Sequence, residues 1–499
     1  QSDGVTFAVD IEPLDAREPG AARLWERHVE PADGWVEAVV PLGGYRGRPI
    51  RLQLVTDAGP AGDATFDEAA WGDLRLLGDS VGPPDRPHVV LIDIDTLRAD
   101  RLSCYGSERP TSPALDAFAA DGAAVFLDAS STAPWTLPAT ASMLTGLSPN
   151  QHGAVMEEQA IAASVPSLAQ LLREAGYETR ALTAGGYLLP GFGFDAGFDA
   201  YTCRAGWVPD AAEVEALLTD RRSDRPLFLF VHTYMVHAPY SADTRFLDET
   251  SRRSAFVGRA ITRDDVIGPV NDGKLVLGED DQRYVENLYE AGVARMDDSL
   301  GRVLDAIDRA LPRSHVLVLI TSDHGEELFE HGGLEHRRTL YEEVLRVPLI
   351  VRFPDGQPAG RRSEPASLLD IVPTILDVVG LPQPANLPGL SLHRALPSSR
   401  TRVAFLQHDL ISVSRGELKL ISGVLPRGEP AEPVQLYDIA TDEAEQHDLA
   451  ASHPEAVVDL CRSLDEFLNQ WRPLVPAAEA ALDSETLEAL RRMGYVGER

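Results

Sequence analysis

The chain has 499 residues, of which 44% are hydrophobic, enough for a sizeable core and more than one typical domain needs. Its formal net charge of -33 excludes nonspecific binding to nucleic acid, which requires Lys and Arg for the phosphates, and disfavours anionic membrane surfaces. Arginine carries nearly all of the basic charge, because Lys274 and Lys419 are the only lysines; an anionic substrate must therefore be met by a metal ion or by a few placed arginines.

Residues 1–80 read as a small accessory domain of β-sandwich, jelly-roll-like type. WVEAVVPL (35–42) and IRLQLVTD (50–57) have strand length and apolar content, with GGYRGRP as the turn between them. Such a domain is either a packing module or a carbohydrate contact. Residues 81–87 end a polar, Pro/Gly-rich linker. HVVLIDID (88–95) is then a continuous β-branched run, the mark of a strand buried on both faces. A helix over 165–176, a strand in YETRALTA, a strand in PLFLFVH, a long helix near 283–311, and strands in SHVLVLITSDHG and VPLIVRF follow. This alternation predicts an α/β fold, an α/β/α sandwich around a large mostly parallel sheet spanning 88–400, with ligands at the carboxyl ends of its strands. Polar residues 242–282 suit a lid or an insertion. From 401 to 499 the pattern becomes antiparallel strands and a helix at 455–470, a C-terminal subdomain.

Cys104, Cys203 and Cys461 are isolated and odd in number, which argues against a disulfide framework or a thiolate zinc site. No apolar run approaches the roughly 20 residues that span a bilayer. The sequence starts at Gln1 and not Met, so an exported location, periplasmic or extracellular, is favoured over a cytoplasmic one. Oligomeric state is not readable.

Polar residues collect where the apolar strands stop. Asp93, Asp95 and Thr96 close the first strand; His232 and His237 follow PLFLFV; Asp323, His324 and Glu326 follow VLVLITS. Each alone reads equally well as a cap or a solvated loop. Gathered at one sheet edge, they make a site for a hard-to-borderline divalent cation. A fourth segment, STAPWTLPATASMLTG (131–146), places Thr136 just ahead of a helix whose first turn would hold Pro138. There a hydroxyl either caps the helix or serves as a nucleophile beside amides and a positive dipole end that favour anions.

VVLIDIDTLRADRLSCYG, PWTLPATASMLTG, HAPY, TSDHGEE and HGGLEHRRTLYEEVLRVPLIV, in this order, resemble the motifs of the sulfatase branch of the alkaline phosphatase superfamily. The resemblance runs from about His88 to the carboxyl end, where LYDIATDEAEQHDLA and LEALRRMGYVG also fit. It implies the same alkaline-phosphatase-like sheet. It implies metal ligation by Asp95, Thr136, Asp323 and His324, with one or two divalent ions; an Asp-Asp-His set with a threonine suits zinc or manganese, while calcium or magnesium prefer more oxygen ligands. It implies Thr136 as nucleophile by register with Thr145-Gly146, His237 at the substrate or its leaving group, and His336 facing the transferred group with Arg337 as the neighbouring alternative. Thr96 stands where many sulfatases have a second aspartate. His232 and Asp93 either bind substrate, support the ligands or belong to a second metal site, and His152 either approaches the site or packs its loop.

Two departures shape the functional expectation. Many sulfatases carry Cys-x-Pro-Ser-Arg, whose first residue becomes formylglycine, whereas this chain has Thr136-Leu137-Pro138-Ala139-Thr140. The Gly-Lys-x-His segment of sulfatases is replaced by TAGGYLLPGFGFD. The site thus resembles threonine-nucleophile members. The sequence ranks metal-dependent hydrolysis of phosphodiesters or phosphonate monoesters through a phospho-threonine first, because a small monoanionic ester needs little positive charge. Sulfate ester hydrolysis without formylglycine comes second. A phosphoryl-alcohol transferase, or a non-catalytic carbohydrate-binding protein, comes after these.

Overall fold

Strand β4 (His88–Ile94) is apolar on both faces because it lies in the middle of an eight-stranded sheet. The computed structural model describes residues 4–14, 22–30, 36, 38–45, 48–58 and 69–72, then 86–482 apart from short gaps within 205–208 and 220–224 and at 408, 425–429, 475 and 477, and residue 490. The chain divides into two compact units, Gln1–Asp79 and Ser80–Arg499.

In the first unit, β1 (Val5–Pro13) is the centre of a three-stranded antiparallel sheet, flanked by β2 (Ala22–Val29) and β3 (Ile50–Asp57). No second facing sheet occurs among the described residues, so the described part is one layer of the expected sandwich. The strand expected at 35–42 is not formed over Ala38–Leu42; Pro41 withholds a backbone donor there. Trp35 and Glu37 lie outside the described residues.

The second unit holds β4, β5 (Ala124–Phe126), β6 (Glu178–Thr183), β7 (Ala200–Cys203), β8 (Leu227–Thr233), β9 (Val316–Thr321), β10 (Leu349–Arg352) and β11 (Gly360–Arg362), ordered β11-β5-β10-β9-β4-β8-β6-β7. β4 pairs in parallel with β8 and β9, while β10 runs antiparallel to both its neighbours, β9 and β5. The sheet is therefore mixed but mostly parallel. Strand alternation splits its side chains into two cores. Val89, Leu91, Phe228, Phe230, Leu317 and Leu319 pack with α2 (Thr136–Thr145) and α4 (Ile371–Val378) on one face. Val90, Ile92, Leu229, Val231, Val318 and Ile320 pack with the amphipathic α3 (Glu279–Ala310) on the other, where α1 (Pro113–Ala120) also lies. The C-terminal part is a four-stranded antiparallel sheet, Thr401–Leu406, Leu410–Arg415, Leu418–Val424 and Pro430–Asp438, backed by the helix α5 (Pro454–Gln470).

Residues 242–282 are integral to the second core. Ile261, Val266 and Ile267 are fully buried, and Asn271 exchanges hydrogen bonds of 2.9 Å with the backbone of Leu334 in both directions. The segment is an insertion anchored to the loop that carries His336.

Candidate active site

The alternation that fills the α2-side core with Val89 and Leu91 also sends Asp93 and Asp95 to that face. By the same rule His232 follows Phe230, and Asp323 follows Leu319 and Thr321. The sheet edge thus brings Asp93, Asp95, His232, Asp323 and His324 together beneath the start of α2, all fully buried.

Thr136 is the first residue of α2, with Trp135 as the N-cap, so Pro138 falls in the first turn while Thr136 lies inside the helix and not just ahead of it. The Thr136 hydroxyl does not cap the helix: it donates to Asp95 Oδ2 at 3.1 Å. Asp95 is also approached by His232 Nε2 at 3.5 Å (to Oδ2) and by His324 Nε2 at 3.9 Å (to Oδ1). His324 Nε2 lies 3.4 Å from Asp323 Oδ2. Its Nδ1 sits 2.9 Å from the Gly325 carbonyl, which fixes the proton on Nδ1 and leaves the Nε2 lone pair facing the carboxylates. Burial lowers His324 to about 4, against the pull of Asp95, so the ring is neutral and competent as a ligand.

Electrostatics sort the carboxylates. Burial, and then the charge of Asp95, pushes Asp93 and Asp323 well above the usual carboxylate range. Burial acts on Asp95 in the same sense, but hydrogen bonding from His232 and the nearby His237 and His324 outweigh it and hold Asp95 low. Three carboxylates this close cannot all stay ionised without a compensating cation. A divalent ion fits what is present. Asp95 Oδ1, Asp323 Oδ2 and His324 Nε2 have no hydrogen-bond partner, and Asp95, Asp323 and His324 offer ligand atoms within 4.8 Å of one another. Orphaned buried lone pairs of this kind are costly unless they bind something positive.

His336 and His237 line the same space, with ring centroids 5.2 Å apart; His336 is 4.4 Å from the His324 ring. Burial, reinforced by His324, His237 and Arg337, lowers His336 well below its ordinary value. Its Nδ1 lies 3.3 Å from Glu326 Oε1. Glu326 is fully buried and pushed well above the usual range by burial and then by Glu335 and Asp95. The sequence places Glu326 among the polar residues at the strand ends but does not single out its place beside His336. Arg337 has a left-handed φ of 73°. Its amide donates to Pro134 O at 3.1 Å, its guanidinium stacks 4.4 Å over Trp135, lies 3.3 Å from Tyr187 OH and pairs with Glu157. Tyr187 and Glu157 carried no local signal.

Thr96 also has a left-handed φ, 60°, and its carbonyl accepts the Tyr289 hydroxyl at 2.7 Å. His152 is not gathered with the others. Its Nδ1 accepts from Ala154 N at 3.1 Å, and its Nε2 lies 3.1 Å from Ser142 Oγ on α2. Burial lowers it to about 3, as suits a neutral packing group.

A mostly parallel sheet whose strand ends converge on a helix-terminal hydroxyl, beside carboxylates and imidazoles that could hold a divalent ion, is an arrangement suited to ester hydrolysis. A family model described as "Sulfatase" matches residues 87–381. The chain belongs to the sulfatase family, within the alkaline phosphatase superfamily, and is an ester-bond hydrolase. It is 23% identical over 462 residues to the uncharacterized sulfatase YidJ of Escherichia coli (strain K12), covering 78% of this chain and 91% of the relative. It is 25% identical over 442 residues to the choline-sulfatase of Rhizobium meliloti (strain 1021), covering 75% and 84%. Among solved structures, the phosphonate monoester hydrolase of Agrobacterium radiobacter shares the fold with a TM-score of 0.60 at 21% identity, covering 77% of this chain and 95% of that one. No helix among the described residues is long and apolar enough to cross a membrane.

Proposed function

We propose that the chain hydrolyses a monoanionic sulfate ester, with Thr136 as the nucleophile in the position that formylglycine takes in many sulfatases. The family match and the sulfatase relatives move this reading ahead of the phosphodiester that the sequence alone ranks first. The observation that carries the sulfate is the family match over residues 87–381; the nucleophile is read from the Thr136 hydroxyl, held 3.1 Å from Asp95 Oδ2 at the N-terminus of a buried helix.

Asp95, Asp323, His324 and Thr136 would hold the divalent ion. When bound, that ion supplies Lewis-acid charge that favours ionisation of the hydroxyl and offsets charge on the transferred group. Asp95 Oδ2 orients the Thr136 hydroxyl and is the nearest acceptor for its proton. Thr136 Oγ1 forms a bond to sulfur as the ester S–O bond breaks. The amides at the start of α2 face the developing negative charge. His237 gives a proton to the departing alkoxide, and His336, kept neutral, faces the transferred group. Water then attacks sulfur and gives a proton to His237, the S–Oγ1 bond breaks, and Thr136 takes its proton back from Asp95.

A monoanion suits the charge here. Three carboxylates lie in the floor of the site, and the arginine beside it, Arg337, is already paired with Glu157. A dianionic phosphate monoester would meet far more repulsion. Phosphonate monoesters and phosphodiesters are monoanions too, and they form the second reading; a hydroxyl nucleophile and the fold shared with a phosphonate monoester hydrolase favour them. Side-by-side turnover of aryl sulfate, phosphonate monoester, phosphodiester and phosphate monoester by the metal-loaded chain decides. The sulfate ester is expected to have the highest kcat/KM; a phosphorus ester turned over faster replaces the first reading with the second.

A further inference from the structure

Asp93 and His232 take no part in the chemistry above, yet they sit side by side in register on adjacent parallel strands. Both are fully buried. On this face the same two strands otherwise carry Val89, Leu91, Phe228 and Phe230, so packing alone would be met by an apolar pair. An unpaired buried carboxylate costs several kcal/mol. Neither oxygen of Asp93 has a full hydrogen bond, His232 Nδ1 has none while its Nε2 reaches only Asp95 Oδ2 at 3.5 Å, and Asp323 Oδ2 is likewise unmatched. Ligand atoms of Asp93, His232 and Asp323 all lie within 4.8 Å of one another. Among the described residues no Arg or Lys pairs with Asp93, Asp95 or Asp323; the ion partners of Asp95 and Asp323 are His232 and His324.

We propose that Asp93, His232 and Asp323 form a second divalent-cation site, which shares Asp323 with the site formed by Asp95, Asp323 and His324. Two carboxylates and one imidazole suit zinc or manganese. Charge gives the second ion a purpose. One divalent ion against three carboxylates leaves a negative floor that repels a monoanionic ester; two leave a positive floor that attracts it. Adjacent strands hold Asp93 opposite His232, and the shared carboxylate keeps the two ions close enough to act on one substrate.

The test reads metal and not turnover, so it stands apart from which ester is hydrolysed. The full chain is stripped with a chelator, dialysed against zinc or manganese, and its bound metal measured by elemental analysis. Wild type is expected to bind two equivalents, and Asp93→Asn and His232→Gln one each. Manganese-loaded wild type is expected to give an exchange-coupled spin-resonance signal that either variant reduces to that of an isolated ion. A single equivalent in wild type, two equivalents in either folded variant, or two uncoupled ions in wild type overturns the proposal. Thermal melting of the loaded variants establishes that they fold; if neither does, the wild-type stoichiometry and coupling decide the matter by themselves.

Discussion

Gly325 is the residue through which the turn proposed to ligate the metal can be disturbed without touching Asp323 or His324. A Cβ built there would lie 2.1 Å from the backbone oxygen of Glu343, 3.1 Å from its carbonyl carbon and 3.2 Å from Val344 Cα. Side-chain carbons essentially never come closer than 3.0 Å to such atoms, so Gly325→Ala forces a separation of about 1 Å or more. Neither partner can yield freely. Gly325 N donates to Val344 O at 2.8 Å, and Glu326 N donates to Glu343 O at 3.0 Å. The displacement passes to the Gly325 carbonyl that orients His324 and to Glu326, which faces His336. A shift of about 1 Å in positioned catalytic groups costs about 100-fold in rate, and overpacking costs about 1–3 kcal/mol of stability. Steady-state kinetics at saturating metal, with a denaturant melt on the same samples, measures both. A Gly325→Ala protein with wild-type kcat and an unchanged melt refutes the claim that this turn is laced too tightly to move.

Arg337→Ala is expected to raise KM for the anionic ester about tenfold or more, since a charge-assisted hydrogen bond is worth about 1.5–3 kcal/mol, while Glu157→Gln, by releasing the guanidinium, is expected to lower KM; initial-rate kinetics on both variants checks the opposite signs. Asp297, buried on α3, accepts from the amides of Ala114 and Leu115 at 2.8 and 2.9 Å and so caps α1 from outside; Asp297→Ala should cost about 2 kcal/mol in urea unfolding. Burial pulls His331 down, but the Glu343 carboxylate at 2.8 Å outweighs it and raises the ring above its ordinary value. The native state therefore holds that proton more tightly than the unfolded chain, and the stabilisation, full below about 6.5, is lost as pH rises through the raised value. His331→Gln should lower the melting temperature more at pH 6 than at pH 8.5, and equal losses at both would count against the pairing.

The sheet edge was legible because buried strands announce themselves as unbroken apolar runs, and Asp95, His232 and Asp323 stand where those runs end. Thr136 was legible through its register with Thr145-Gly146, but its position within the helix was not: the pattern puts Thr136 just ahead of the helix, whereas the helix begins at Thr136 itself, with Pro138 still in its first turn. The cage around Arg337 was hidden, because Glu157 and Tyr187 meet it across 180 and 150 residues of chain, and no local pattern encodes such a meeting. The N-terminal strands divide in the same way. Ile50–Asp57 was legible from its strand length and apolar content, while Ala22–Val29, which carries Arg23, Glu26 and Arg27 at an outer position of its sheet, was not, because charged edge strands lack that signal. Glu326 illustrates a further limit: it is buried beside His336 and Tyr240, which come from other parts of the chain, and no local pattern shows that meeting.

The account rests on Thr136 as the atom that attacks. Rapid quenching during turnover of an aryl sulfate, followed by peptide mass spectrometry, measures this directly in wild type and in Thr136→Ala. The account predicts a transferred sulfuryl group on the peptide containing Thr136, and a fall in metal-dependent rate of about 1000-fold or more in the variant. A Thr136→Ala protein that keeps the full rate, or an adduct found on another residue, would contradict it.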